Sequence, residues 1–263
     1  MTDVLVGKTL WIWGVGVLEV VGVNYSPELA IATAVFELGA AWWVLRRKGN
    51  RSVLRVTAAI FVLLASYQAI EVAICADEAH AGFLPRLAFI AVTWLPPLGL
   101  LLIARLIHPR SRYAMTAAVA MLAAAVGMVV WIVTDPGFAG ISVCTAVVAR
   151  YTHAMPRFFV YSAFYWMGLA GMVGFAGVGL RTATSGAQRR LIRQILLGTL
   201  AFVVPSLVTS FFVPMAKGAM PSVMCHYALL LALFLTRMAW LEHRNVDTAL
   251  QRDPRRTSEV SLS

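Results

Sequence analysis

Val53 to Cys75 reads VLRVTAAIFVLLASYQAIEVAIC. It is long and apolar enough to cross a bilayer as a helix, yet it carries Tyr67, Gln68 and Glu71 near one end. On a helix Tyr67, Gln68, Glu71 and Cys75 fall at i, i+1, i+4 and i+8, so they share one stripe. An ionisable side chain within a span is costly, about 3 kcal/mol at a helix centre, and normally faces a protein interior or a cavity. The other helices are therefore expected to form a bundle that hides this stripe from lipid.

Composition agrees with that reading. The 263 residues are 60% hydrophobic and 13% charged, against about 25% charged in soluble domains. A net charge of +10 raises the question of nucleic acid, but the placement of the cations argues against such a partner. They lie in short clusters between apolar runs: Arg46-Arg47-Lys48, Arg110 with Arg112, Arg189-Arg190 with Arg193, and Arg255-Arg256. That is the pattern of cytoplasmic loops in a multi-pass membrane protein. The N-terminus lacks the basic start and small-residue cleavage site of a signal peptide.

Seven strong spans are read at Pro27–Leu45, Val53–Cys75, Leu84–Leu106, Tyr113–Thr134, Phe158–Leu180, Leu191–Val213 and Ser222–Trp240. Each has roughly the 20 residues that a hydrocarbon core of about 30 Å requires. The fold class expected is all-α: a polytopic bundle of seven spans, preceded by one N-terminal hydrophobic helix over residues 1–25. That first helix, with Leu10–Val23 as its apolar part and Lys8 and Glu19 interrupting it, either spans or lies along the surface. Ser26 reads as an N-cap with Pro27 at the first helical position. Residues 26–244 form the seven-helix domain and 245–263 a polar cytoplasmic tail. The loops alternate in charge, which sets the spans N-out to C-in. No attached kinase, transcription or nucleotide-binding domain is legible.

The side predicted to face outward collects unusual chemistry. Cys75, Cys144 and Cys225 all lie there, with His80, His153, His226, Asp77, Glu78, Met220 and Met224. One reading is a disulfide on an oxidising face, Cys75 to Cys144 being the pairing that would pin the long loop over the bundle mouth. Separate buried thiols are a second. A zinc or copper set using His153, Cys225 and His226 is a third, suited by ligand softness but without a close ligand spacing. No cofactor is expected apart from that metal reading. Glu37 is a second acid inside a span, on the helix adjacent in sequence to the one bearing Glu71, and the two could share a polar core. Arg105 and Arg237, the cations nearest to partnering it, sit near span ends and are expected to snorkel. Thr93-Trp94-Leu95-Pro96-Pro97 breaks the third span, and Pro205 with Ser206, Thr209 and Ser210 repeats the theme in the sixth. The fifth span is aromatic and polar above (Tyr161, Ser162, Tyr165, Trp166) and glycine-rich below (Gly168, Gly171, Gly174, Gly177, Gly179), a face for close helix approach.

Gln68-Ala69-Ile70-Glu71 and Ser222-Val223-Met224-Cys225-His226-Tyr227-Ala228 resemble segments of an uncharacterised bacterial family of small seven-helix integral membrane proteins. Its members carry a Gln-Gln-x-x-Glu-like segment in the second helix and a Ser-Val-Trp-Cys-Phe-Phe-Ala-like segment opening the last. Here Tyr67 replaces the first Gln, and Met224, His226 and Tyr227 replace Trp, Phe and Phe. The resemblance carries no activity. It implies that Gln68, Glu71, Ser222 and Cys225 belong to one site near the outer mouth.

The leading expectation is a receptor-like or small-ligand-binding protein whose outward pocket is lined by Tyr67, Gln68, Glu71, Trp94, Tyr165, Cys225 and His226; whether the protein is an enzyme stays open. The alternatives are a membrane-embedded metal-dependent enzyme or metal-handling protein, and a proton-coupled transporter with Glu37 and Glu71 as carriers. The lipid bilayer is the expected partner, a small molecule or lipid the expected ligand, and a homo-oligomer remains open.

Overall fold

A computed structural model describes residues 27–76, 83–107, 112–140, 144, 151, 155–212 and 220–252. Among these, eight helices run in order: α1 (Glu28–Leu45), α2 (Arg51–Ala76), α3 (Leu84–Thr93), α4 (Leu95–Ile107), α5 (Arg112–Thr134), α6 (Met155–Thr182), α7 (Gly186–Phe212) and α8 (Met220–Arg252). No strand occurs among the described residues. Seven helical stretches are long and apolar enough to cross a membrane, α3 and α4 together making one of them. The protein is an all-α helical bundle and, by these stretches, an integral multi-pass membrane protein. Helices are the form such runs must take in lipid, because each backbone amide then finds its acceptor within its own segment. The N-terminal helix expected over residues 1–25, and Ser26 as its successor's cap, lie outside the described residues.

The bundle is a ring around a centre. α1 packs on α2 and on α8, which closes the ring, and α7 packs on both α6 and α8. α4 is the hub, touching α2, α5, α6 and α7. Burial follows this plan: 72% of an apolar 18-residue stretch of the α3–α4 span lies inside the bundle, against 22% of such a stretch of α5 at its edge. Alanines fill the helix contacts, with Ala88, Ala104, Ala118, Ala125, Ala176, Ala228, Ala232 and Ala239 all fully enclosed. Apolar association gains little where the solvent is itself hydrocarbon, so close backbone approach through small residues carries the packing. Large apolar side chains such as Val35, Phe159, Met167, Phe211 and Phe212 point outward, as lipid-facing residues do.

Several boundaries differ from the sequence reading. α1 is capped by Pro27, with Glu28 as its first residue and no side-chain cap. α7 starts at Gly186, so Arg189 and Arg190 are helical and not in a loop; Ser185 caps this start, its Oγ accepting from the Gln188 amide at 3.0 Å. α8 runs through Trp240 to Arg252. Its extension docks on the α1–α2 turn, where the Asn50 amide donates to Glu242 (3.1 Å) and His243 Nδ1 meets the Lys48 carbonyl (3.2 Å).

The third span breaks at Trp94. Pro96 and Pro97 have no amide hydrogen, and in the first turn of a new helix none is needed. The Trp94 amide turns back to the Val92 carbonyl, while Thr93 Oγ1 donates to the Phe89 carbonyl at 2.6 Å. The break makes one span into two short helices, α3 and α4.

Of the glycines on α6, three serve close packing. A Cβ at Gly168 would lie 2.5 Å from Pro96 Cβ, one at Gly171 would lie 3.2 Å from Leu100, and one at Gly179 would lie 2.7 Å from Ile107. Gly174 and Gly177 face open space, so only part of the glycine face is a contact face.

Candidate functional site

The stripe on α2 is buried as its composition demands: Tyr67, Gln68 and Glu71 are each no more than 2% exposed. They face α8. Ser222 Oγ donates to Glu71 Oε1, and Gln68 Nε2 donates to the Cys225 carbonyl at 2.9 Å. The Tyr67 hydroxyl lies beside the Cys225 thiol and within 3.3 Å of the Tyr151 hydroxyl. The four residues that the family resemblance groups, Gln68, Glu71, Ser222 and Cys225, therefore meet in one polar knot between α2 and α8. His226 bonds along its own helix, its Nδ1 2.8 Å from the Ser222 carbonyl one turn back. A carbonyl only accepts, so Nδ1 carries the proton there.

Glu37, on the inner face of α1, is fully buried. Neither of its carboxyl oxygens has a hydrogen-bond partner among the described residues. It and Glu71 both lie within electrostatic range of the Cys225 thiol. The two acids thus share a region of the bundle, without a bond between them. Arg105 and Arg237 are exposed, and no described cation pairs with Glu37.

Beside the knot lies a cavity of about 50 Å³. Its walls are Leu64 of α2, Phe89 and Val92 of α3, Leu95 of α4, Phe158, Tyr161, Ser162, Tyr165 and Trp166 of α6, Phe202 of α7, and Met224 and Cys225 of α8. Of the pocket residues expected from sequence, Tyr165 and Cys225 line it. Tyr67, Gln68 and Glu71 stand behind it as the knot that fixes α8. Trp94 and His226 do not line it. The walls that sequence reasoning missed are the α3 face and the aromatic half of α6. The signal was present in Tyr161, Ser162, Tyr165 and Trp166, whose spacing of i, i+1, i+4 and i+5 gathers them on one helical face. A second void of about 20 Å³ continues towards the arginine-rich end, sharing Leu95, Tyr165 and Phe202 with the first. Thr199 lines it, with a hydroxyl that has no partner among the described residues.

An aromatic plug covers the cysteine-bearing end. Phe89 makes edge contacts with Phe138, Tyr151 and Tyr161 at centroid distances of 5.6, 5.4 and 5.3 Å. Phe138 and Tyr151 belong to the α5–α6 connection and are nonetheless buried. Among the described residues, three covalent or polar ties hold that connection down. Cys75 and Cys144 form a disulfide, with Cα atoms 5.7 Å apart. Arg157 pairs with Asp135 at 3.0 Å. The Tyr67–Tyr151 contact is the third.

Cys225 is the free thiol of the three cysteines. No three His, Cys, Asp or Glu side chains converge as metal ligands among the described residues. His153, His80, Asp77 and Glu78 of the metal reading lie outside those residues, as does the side chain of Met220. A scan against models of protein families matches none of them, and no curated protein matches the chain significantly.

Proposed function

We propose that the protein is a receptor-like membrane protein that binds a small, largely apolar ligand in the aromatic cavity between α2, α3, α4, α6, α7 and α8. The proposed orientation is N-out for the seven spans, with the cavity in the outward half. One observation carries the reading: six aromatic rings, one thiol and three hydroxyls (those of Tyr161, Ser162 and Tyr165) surround a void inside the bundle. Protein interiors rarely hold voids larger than a water, and a water-sized void needs only about 10–15 Å³. Ligand sites are mainly apolar, with a few placed polar groups; here Ser162, Tyr165 and Cys225 supply them. The Glu71–Ser222 and Gln68–Cys225 bonds hold α8 so that Met224 and Cys225 face the void. Kinship with the small seven-helix bacterial family is part of the same proposal.

Indole, a compact aromatic with one N–H, is a suitable probe. With the disulfide intact, Cys225 is the free thiol, so its alkylation by N-ethylmaleimide reports occupancy of the cavity. Indole is expected to slow that reaction saturably, and Ser162→Trp, which fills the cavity, to remove the protection. An alkylation rate indifferent to indole up to its solubility would sink the reading.

A second reading, proton-coupled transport with Glu37 and Glu71 as carriers, is favoured by the fully buried Glu37 carboxyl, which lacks a hydrogen-bond partner among the described residues. It predicts proton flux into dye-loaded proteoliposomes under an imposed potential, abolished by Glu37→Gln. Equal flux in the two proteins, or none in either, rules it out.

A further inference from the structure

The end of the bundle opposite the disulfide carries a second concavity, of about 450 Å³, lined by Leu180, Gly186, Arg189, Arg190 and Arg193. We infer that this concavity binds a phosphate-bearing anion, either the headgroup of an anionic lipid or a free phosphate. Arg189 and Arg193 stand at i and i+4, and Arg190 stands three residues before Arg193, so all three guanidiniums flank one strip of α7. Like charges at this spacing repel and destabilise a helix. An anion is what makes the arrangement favourable.

Among the described residues, nothing nearby supplies one. After Asp135 the sequence has no Asp or Glu until Glu242. Among the described residues, none of these three arginines has an ion pair. The described acids at this end are engaged elsewhere: Glu242 accepts from the Asn50 amide, and Asp247 pairs with His243 at 3.3 Å. Three other arginines at this end lie over rings of their own helices. Arg46 lies over Trp42 at 4.0 Å, Arg47 over Trp43 at 4.4 Å and Arg244 over Trp240 at 4.9 Å. Among the described residues, no such contact holds Arg189, Arg190 or Arg193.

The site is also built on a fixed frame. Ser185 caps the helix start, and Gln188 Nε2 donates to the Leu106 carbonyl of α4 at 2.6 Å. Gly179 lets α6 close against Ile107 and Ile192. The apolar floor at Leu180 suits the glycerol or upper acyl chain of a lipid, and the planar guanidinium forks suit phosphate oxygens bidentately. Basic pockets between membrane helices hold phospholipid headgroups by this chemistry.

The test uses the full chain purified in a neutral detergent, with thermal unfolding followed against added dioleoylphosphatidylglycerol, inorganic phosphate or dioleoylphosphatidylcholine. Phosphatidylglycerol is expected to raise the midpoint saturably, and phosphatidylcholine to leave it unchanged. Arg189→Gln/Arg190→Gln/Arg193→Gln is expected to weaken the apparent affinity about a hundredfold, roughly fivefold for each cation lost. Arg46→Gln/Arg47→Gln is the control and should keep the response. If inorganic phosphate alone reproduces the shift, the source is a soluble anion and the site stands. If no anion shifts the midpoint, or the control variant loses as much as the triple variant, the arginines serve only as delocalised charge at the membrane surface and the site does not exist.

Discussion

Ser222 and Glu71 are 151 positions apart in the chain, yet their side chains bond inside the bundle. A buried acid that loses a donor retains the cost of leaving water, about 1–3 kcal/mol. Ser222→Ala should therefore lower stability by that order, read as the unfolding midpoint in a denaturing-detergent titration. Combining it with Glu71→Gln should cost clearly less than the two changes summed, because the partners share one interaction; strict additivity would refute the coupling. The glycines of α6 make a second comparison at this scale. Gly168→Ala drives a methyl into the ring of Pro96, which cannot swing aside, and should cost about 1–3 kcal/mol by overpacking. Gly99→Ala, on the facing helix α4, meets the flexible end of Met172 and should cost less. Gly174→Ala and Gly177→Ala meet nothing and should be near neutral. The rank order, measured in one titration series, is the prediction.

Among the elements, the α5–α6 connection is the one whose behaviour is least like a loop. Its Phe138 and Tyr151 complete an aromatic cluster with Phe89 and Tyr161, so it acts as a plug for the cavity end of the bundle. The Cys75–Cys144 bond spans 69 positions. For a soluble chain that closure would be worth about 4 kcal/mol; helices already held in a membrane have less freedom to lose, so the effect should be smaller. Cys75→Ser/Cys144→Ser is expected to keep the spans intact while exposing the connection to protease and speeding Cys225 alkylation. Unchanged protease and alkylation rates would show that the aromatic contacts alone hold the plug. The Trp94 break acts on the same cavity from the other side, since Leu95, the first residue of α4, lines both voids.

For the molecule as a whole, charge and topology point the same way. The helix connections that carry arginine clusters all fall at one end, and the disulfide falls at the other. The proposed orientation follows from that asymmetry. A fluorescent protein fused after Ser263 should light up, and alkaline phosphatase placed between residues 144 and 151 should be active. The reverse pattern would invert the bundle and put the aromatic cavity on the cytoplasmic side.

The sequence by itself determined the number of spans and their rough limits. Seven apolar runs of bilayer length leave helices as the only way to satisfy the backbone, and that constraint acts locally. It also determined that the Tyr67, Gln68 and Glu71 stripe would be buried, since lipid is a poor neighbour for a carboxyl. Position 75 could have paired with 144 or with 225, or stayed a thiol, and nothing local distinguishes these. Which helix meets which is a contest among many apolar faces of nearly equal energy in hydrocarbon, and only the tertiary packing decides it. That packing turned Tyr67, Gln68 and Glu71 from expected pocket walls into a knot against α8. It placed the cavity among Phe89, Tyr161, Ser162 and Trp166, and it set three arginines around one concavity at the opposite end.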